Sequence, residues 1–315
     1  MLYPLSYEGS ASRVPSAVRC EPGSARHTGA RMTGAEPVVD DNPPASLRFR
    51  RPVRLGRSAR DLWRSRGLVQ VLAEREFQSR YKQTVLGIVW ALLTPVLLVV
   101  VFALFVDRVA DVDTGGVPYV VFAYIGLVPW SFFSSSVTRG GQSLVLDSGV
   151  VNKVRCPREV FPLAGIASAG IDMVVSAFVL GALFVVTGYE LRTTAVWVPA
   201  ILVLQIAFVA GVVLVLAVLA VYLRDLLQAL PLLLQLGLFA TPVAYGIGAI
   251  PERWWSWYAF VNPLVAVIES YRQTMLYGFG PPWELVGPAL ASTLLWLVGG
   301  YLLFKKLEPG IADVA

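Results

Sequence analysis

Three charged side chains lie inside otherwise apolar stretches of this 315-residue chain, where a buried ion could act chemically or line a polar path. Asp172 lies in GIASAGIDMVVSAF, and Glu269 and Arg272 lie one helical turn apart in ESYRQT. An acid in mid-membrane costs about 2.5–3.5 kcal/mol on insertion scales, so such groups face an interior or water, or they pair. Asp172 is therefore either a pathway residue or the partner of a basic neighbour near the interface. Glu269 and Arg272 can pair at i, i+3, which reduces the cost of burying them.

The residue types that enzymes need are missing from the apolar stretches. The single histidine is His27, and the lysines occur only at positions 82, 153, 305 and 306, outside those stretches. We therefore expect no catalytic residue and no metal site in the membrane part. No G-x-x-x-x-G-K-[ST] sequence occurs, so this chain has no P-loop to hold ATP phosphates. The two cysteines, Cys20 and Cys156, do not suggest a disulfide framework.

A basic, proline-punctuated loop separates two of the apolar runs. We call residues 152–162, NKVRCPREVFP, the coupling loop; the residues that we expect to contact a partner are Asn152, Lys153, Arg155, Pro157, Arg158, Glu159 and Pro162. A short helix fixed between Pro157 and Pro162 could press into a partner as a stiff element, because a flexible loop would absorb the motion. The alternative is a loop whose charges only keep it on one side of the membrane.

Residues 241–280, which we call the broken segment, cannot form one clean membrane span. Pro251, Asn262-Pro263 and Gly278 divide it into pieces of roughly 8 to 15 residues, whereas about 20 residues cross a bilayer. We predict re-entrant helices, because irregular backbone is tolerated at depth only where protein or a cavity surrounds it. The expected gate residues are Trp254, Trp255, Trp257, Tyr258, Asn262, Pro263, Glu269 and Arg272.

The composition, 56% apolar and 15% charged, is typical of a polytopic membrane protein. We predict an all-α fold with six transmembrane helices at residues 86–106, 117–137, 163–186, 195–222, 226–247 and 283–304. The distribution of Lys and Arg among the loops predicts that both termini are cytoplasmic. Arg224 and Asp225 would then mark the cytoplasmic edge of a helical hairpin, or pair with the interface helix or another subunit.

The N-terminal part divides into two predicted regions. Residues 1–58 are rich in Pro, Gly, Ser and Arg without periodicity, which predicts a disordered tail. Residues 59–82 predict an amphipathic interface helix whose apolar stripe, including Leu72, Ala73 and Phe77, is interrupted by Arg66 and Arg80. We expect it to lie on anionic lipid, where each basic residue contributes about 1 kcal/mol. The six-span domain would occupy residues 83–308, followed by a short cytoplasmic tail at 309–315.

Five stretches resemble one family when they are taken together and in order. They are REFQSRYKQTVLGIVWALLTPVL (75–97), VVNKVRCPREVFPLA (150–164), VYLRDLLQ (221–228), TPVAY (241–245) and NPLVAVIESYRQTMLYG (262–278). This pattern resembles the membrane subunits of type-2 ABC exporters of lipid-linked polysaccharides and teichoic acids. The resemblance extends over about residues 60–307.

The resemblance implies a transport permease in the cell membrane, built as a homodimer on two cytoplasmic ATP-binding-cassette subunits. ATP and Mg would bind to those partners, so no cofactor and no nucleic acid is expected on this chain. The cargo would be a lipid-linked glycan (O-antigen-like polysaccharide, galactan or teichoic acid) that moves from the cytoplasmic to the outer leaflet. The coupling loop would contact the ATPase. The aromatic residues of the broken segment would be an interfacial belt, a surface that stacks on sugars, or a water-excluding gate.

Other function classes stay open from the residues alone. A related branch of exporters moves drugs or small lipids. An ion-coupled secondary transporter would show more intramembrane ionisable residues and internal repeats. An intramembrane enzyme would need paired carboxylates, or Ser with His or Lys at depth. A neighbouring gene for a P-loop ATPase would favour the exporter.

Overall fold

The computed structural model describes residues 62, 64–81, 89, 93, 96, 97, 100, 101, 114–151 and 156–311. These residues form helices, turns and loops, without any strand among them. The α-helices are α1 (Arg66–Tyr81), α2 (Tyr119–Leu146), α3 (Ser148–Val151), α4 (Val160–Thr187), α5 (Val198–Tyr222), α6 (Asp225–Ala240), α7 (Trp255–Val261), α8 (Pro263–Arg272) and α9 (Trp283–Leu307).

Four of these helices, α2, α4, α5 and α9, are long and apolar enough to cross a membrane. They correspond to the predicted second, third, fourth and sixth spans, so the predicted all-α, multi-pass class is confirmed. The predicted tail at 1–58 lies outside the described residues. Six positions between 89 and 101 are described within the predicted first span, and all six are helical. The six-span count remains a prediction.

The predicted fifth span was wrong at its C-terminal end. The helix stops at Ala240 rather than at 247, because Pro242 forces the preceding Thr241 into an extended conformation with φ −102° and ψ 138°. The 16 residues of α6 therefore rise only about 24 Å, less than the ~30 Å hydrocarbon core of a bilayer.

Helix α2 forms the centre of the bundle and packs against α4, α5 and α8. Glycines bring neighbouring helix backbones together: a Cβ on Gly165 of α4 would lie 2.6 Å from the amide nitrogen of Gly140 in α2. Likewise, a Cβ on Gly211 of α5 would lie 2.5 Å from the carbonyl carbon of Trp296 in α9. Neither glycine can therefore accept a side chain without separating the helices that it joins.

Helix α1 packs along α4 through the predicted apolar stripe. Ala73 is buried and Leu72 is half-buried against the core. An ion pair of 2.5 Å between Arg75 and Asp147 also connects α1 to the end of α2. Within the predicted C-terminal tail at 309–315, Ile311 is fully buried against the bundle.

Candidate functional site

The broken segment consists of short helical pieces, as the sequence predicts. Two 3-10 turns, Ile247–Ala249 and Glu252–Trp254, lead into α7 and α8. Pro263 is the first residue of α8, and the Asn262 side chain caps that helix. Helix α8 then continues into a π-helical turn, which stops at Gly278 with a φ of +79°.

Arg272, in the last turn of α8, binds the backbone at the start of the broken segment. Its Nη1 donates to the carbonyls of Pro242 at 2.8 Å and Tyr245 at 3.0 Å, and its Nη2 donates to that of Val243 at 2.6 Å. The guanidinium carbon lies 3.7 Å from the ring centroid of Phe122, and the side chain is fully buried. A planar group with five donors can satisfy several carbonyls at once. We call this arrangement the arginine clamp.

Two tyrosine hydroxyls bind further carbonyls, one at the last residue of α6 and one just after it. Tyr119 of α2 donates to the carbonyl of Ala244 at 3.0 Å, and Tyr258 of α7 donates to that of Ala240. The irregular backbone after α6 is thereby satisfied by side chains of three other helices. This is the condition under which non-helical backbone can lie at membrane depth.

Gly126 of α2 provides the space for the clamp. A Cβ at this position would lie 2.6 Å from the Val243 carbonyl oxygen and 2.8 Å from Nη2 of Arg272. A second contact fixes the segment at the same level, because Asn262 donates to the Thr241 hydroxyl at 2.8 Å. The midpoint of the broken segment, at Asn262, therefore contacts the end of α6.

The predicted ion pair between Glu269 and Arg272 was wrong. Ion pairs within the described residues do not include it; Arg272 binds the three carbonyls instead, and Glu269 accepts from the Gln273 side chain at 3.3 Å. Both side chains are buried. The i, i+3 spacing places them on one side of α8. The Arg272 guanidinium nevertheless donates to the carbonyls after α6, because these carbonyls lack a helical donor.

The last turn of the broken segment is bound to two distant loops. The Tyr189 hydroxyl donates to the carbonyl of Leu276 at 3.0 Å, and the Tyr277 hydroxyl donates to that of Thr114 at 3.0 Å. The loops before α2 and after α4 therefore meet the end of the broken segment. The sequence predicts all three of these regions on the same side of the membrane.

The predicted aromatic residues differ in exposure. Trp254 and Trp257 are exposed, and the Trp257 ring stacks on Phe260 with 6.0 Å between centroids. Trp255 is half-buried and donates its indole N–H to the carbonyl of Ile250 at 2.9 Å. Only Trp254 and Trp257 are therefore free to meet lipid or cargo, whereas Trp255 and Tyr258 support the fold.

Asp172 is the centre of an ion cluster that joins three helices. Its carboxylate pairs with Arg80 of α1 at 3.3 Å and with Arg139 of α2. Both arginines also donate to the Ser168 hydroxyl, at 3.1 and 3.4 Å. Burial raises the pKa of the nearby Glu76 carboxyl, although Arg139 and Arg80 act in the opposite direction. Of the two alternatives for Asp172, the geometry favours pairing with basic neighbours.

The coupling loop is described from Cys156 onward; Asn152, Lys153 and Arg155 lie outside the described residues. The separate short helix predicted between Pro157 and Pro162 was wrong. Helix α4 begins at Val160, so Pro162 lies in its first turn, where a proline costs no hydrogen bond. The end of the loop is thus a direct extension of α4.

Two predicted residues of the coupling loop bind the end of α9. The Glu159 carboxylate is buried and forms an ion pair with Lys305, which also pairs with Glu308 at 2.9 Å. Arg158 donates to the backbone carbonyl of Glu308 at 2.5 Å. The Glu159 carboxylate therefore binds a residue of its own chain.

Arg224 and Asp225 lie at the connection between α5 and α6, and both are exposed. Within the described residues, the ion pairs do not include either of them. The hairpin-edge alternative therefore fits the geometry of one subunit. Sequence reasoning missed Gly126, Tyr119 and Lys305; a lone glycine in an apolar helix hints at close packing, but the other two carry no comparable signal.

Known proteins resemble this chain along most of its length. The ABC-2 type transporter family matches residues 67–276. Two O-antigen export system permease proteins RfbA are similar: that of Klebsiella pneumoniae is 28% identical over 248 residues (78% of this chain and 94% of that protein), and that of Myxococcus xanthus is 32% identical over 255 residues (80% and 97%). The polysialic acid transport protein KpsM of Escherichia coli is 26% identical over 256 residues (77% and 94%). The resemblance predicted from the five stretches is confirmed, and the chain belongs to the ABC-2 type transporter family.

Proposed function

We propose that this chain is the transmembrane subunit of an ATP-driven exporter that moves a lipid-linked polysaccharide from the cytoplasmic to the outer leaflet of the cell membrane. One observation carries the proposal: the chain aligns with nearly the whole length of relatives named for O-antigen export and polysialic acid transport. The cargo would be an O-antigen-like polysaccharide, a galactan or a teichoic acid.

The energy would come from a partner. Because the sequence has no P-loop, ATP and Mg would bind to two ABC ATPase subunits docked on a homodimer of this chain. The coupling loop would meet the ATPase, with both termini on the cytoplasmic side and α1 on anionic lipid. The continuity of the loop with α4 supports this role, since a displacement at Pro157 would pass directly into a membrane helix.

The six-span, re-entrant topology is part of the same proposal. It is supported by the return of Asn262 to Thr241 and by the contacts of the π-helical turn with the loops at Thr114 and Tyr189. In this topology the broken segment enters the membrane from the outer side and leaves on the same side. The arginine clamp would hold its deepest turn.

The exposed tryptophans give a test of the outer gate. Replacing Trp254 and Trp257 together with alanine should lower export about tenfold, because each aromatic contact contributes about 0.5–1.5 kcal/mol. Assembly should be unaffected, since both rings are exposed. Export is measured as surface polysaccharide per assembled dimer, with Trp283→Ala, another exposed tryptophan, as the matched control. Equal losses of assembly and export would identify the pair as an interfacial belt.

The function itself is tested by depletion of the chain. We expect lipid-linked glycan to accumulate inside depleted cells and surface polysaccharide to disappear, with the same glycan co-purifying with the intact complex. Normal surface polysaccharide after depletion would contradict the proposal. If depletion instead abolished ATP-driven efflux of a drug or a small lipid, the related exporter branch would be favoured.

A further inference from the structure

A buried ion pair joins the coupling loop to the last helix of the chain. The side chain of Glu159 is 1% exposed, and its carboxylate meets the ammonium group of Lys305 in the last turn of α9. A carboxylate buried to this extent is tolerated only with a charged or hydrogen-bonding partner. The start of α4 and the end of α9 are therefore fixed to each other.

Two further contacts hold the same end of α9. Arg158 donates to the carbonyl of Glu308 at 2.5 Å, and the Tyr222 hydroxyl at the end of α5 donates to that of Leu307 at 2.9 Å. Ile311 is fully buried in the cluster that also contains Phe161 and Phe304. The chain after Lys305 thus folds back over the ends of α4 and α5.

The opposite half of α9 packs against the broken segment. Leu285 and Ala289 of α9 share a buried cluster with Ala259 of α7 and with Val265 and Ala266 of α8. Helix α9, a single helix with Pro288 in its second turn, therefore contacts both the coupling loop and the segment that contains the arginine clamp.

The middle of α9 is held against α5. A Cβ on Gly300 would lie 2.5 Å from the Gly211 carbonyl oxygen, so the two backbones touch at this point. The remaining lipid-facing side of α9 is exposed and apolar. Helix α9 therefore touches the bundle along one side, from the broken segment to the coupling loop.

We propose that α9 carries displacement of the coupling loop to the broken segment, and that Lys305 is the positioning residue that connects it to Glu159. The inference rests on the proposed function. A continuous helix can pass a displacement along its axis, whereas a flexible connection would lose it. In this role Lys305 acts through Glu159, with which it forms its buried ion pair, and not on ATP or cargo directly.

The first test compares variants of the two adjacent lysines in the full complex with its ATPase. Lys305→Met should lower polysaccharide exported per ATP hydrolysed at least about fivefold, the lower end of typical coupling between distant sites. Lys305→Arg keeps the charge and should retain most of the coupling. Lys306→Met is the matched control, because Lys306 is exposed, and it should behave as the unmodified protein.

The second test observes the broken segment directly. Ser256 is exposed between Trp255 and Trp257, so Ser256→Cys, in a protein with Cys20→Ser and Cys156→Ser, reports access to a membrane-impermeant maleimide. Labelling should change when ATP is added. With Lys305→Met also present, labelling without ATP should be unchanged and the response to ATP should disappear. A purely structural role for Lys305 would alter the state without ATP instead.

The outcomes separate the inference from the function. If Lys305→Met exports as much per ATP as the unmodified complex, or keeps the ATP-dependent change at Ser256→Cys, the role of α9 is overturned while the exporter stands. If the unmodified complex exports no polysaccharide, the proposed function fails and the inference fails with it. Loss of coupling in Lys305→Met with retention in Lys305→Arg and Lys306→Met supports it.

Discussion

Arg272→Met is expected to be the most destabilising single change in the broken segment. Methionine fills a similar volume but donates no hydrogen bond, so the carbonyls of Pro242, Val243 and Tyr245 lose their donor. Each buried carbonyl without a donor costs about 1–3 kcal/mol, which predicts a loss of at least about 3 kcal/mol for the three. The contact with the Phe122 ring is lost as well.

The measurement is thermal unfolding of the protein in detergent, in which the fraction of protein that remains monodisperse is recorded at each temperature. A loss of this size should lower the melting temperature by about 6 °C or more. Arg253→Met is the matched control: Arg253 is exposed, and its guanidinium carbon lies 5.9 Å from the Trp254 ring centroid, so its change should stay within about 0.5 kcal/mol.

Arg272→Lys separates charge from geometry. Lysine keeps the positive charge, but a compact ammonium group cannot reach three carbonyls in the fork geometry of a guanidinium. We therefore expect a stability between those of Arg272→Met and the unmodified protein. A melting temperature of Arg272→Met equal to that of the unmodified protein would show that the carbonyls find other donors.

The sequence located this charge but could not name its partner. Spacing along a helix identifies neighbours at i+3 and i+4, which is why Glu269 was the expected partner of Arg272. The true partners are backbone carbonyls some thirty positions earlier in the chain. Carbonyls occur at every residue and leave no mark in a sequence, so only the fold reveals which of them lack a helical donor.

Helix positions were predictable where hydropathy alone decides them. Helices α2, α4, α5 and α9 all overlap predicted spans, since an apolar run of this length leaves little choice in lipid. The predicted C-terminal end of the fifth span was wrong because the apolar run continues past Pro242, whereas helix α6 ends before it. Glu159 was expected to face a partner, and its burial against Lys305 depends on how α4 and α9 meet.

The interface helix contains an apparent flaw that the fold explains. Arg80 interrupts the apolar stripe of α1, and the sequence alone gives it no role. In the structure Arg80 reaches Asp172, and Arg139 contacts the same carboxylate oxygen. The charge in the apolar stripe of α1 and the acid in the apolar span, Arg80 and Asp172, therefore form an ion pair with each other.

Asp172→Asn should therefore weaken the attachment of α1 to α4 and lower stability strongly. Loss of one member of a buried ion pair costs about 3–5 kcal/mol, and the 17% exposure of Asp172 places the expected loss near the lower value. Hydrogen exchange should rise in α1, whose contact with α4 includes the Arg80–Asp172 pair. Asp225→Asn, at an exposed acid outside every ion pair in the described residues, is the matched control.

The strongest form of this prediction is a double-mutant cycle between Asp172 and Arg139. The side chain of Arg139 is 13% exposed, against 34% for that of Arg80. Asp172→Asn would therefore leave the Arg139 guanidinium, more than that of Arg80, buried without the Asp172 carboxylate. Replacing both members by Asp172→Asn and Arg139→Met should recover part of the stability lost in Asp172→Asn, because no uncompensated buried charge remains at that site. The cycle with Arg80→Met should show a smaller recovery, since Arg80 is more exposed and keeps Glu76 at 3.8 Å. Strictly additive losses in both cycles would show that Asp172 stabilises the protein without these arginines, and the three-helix cluster would then have no energetic role.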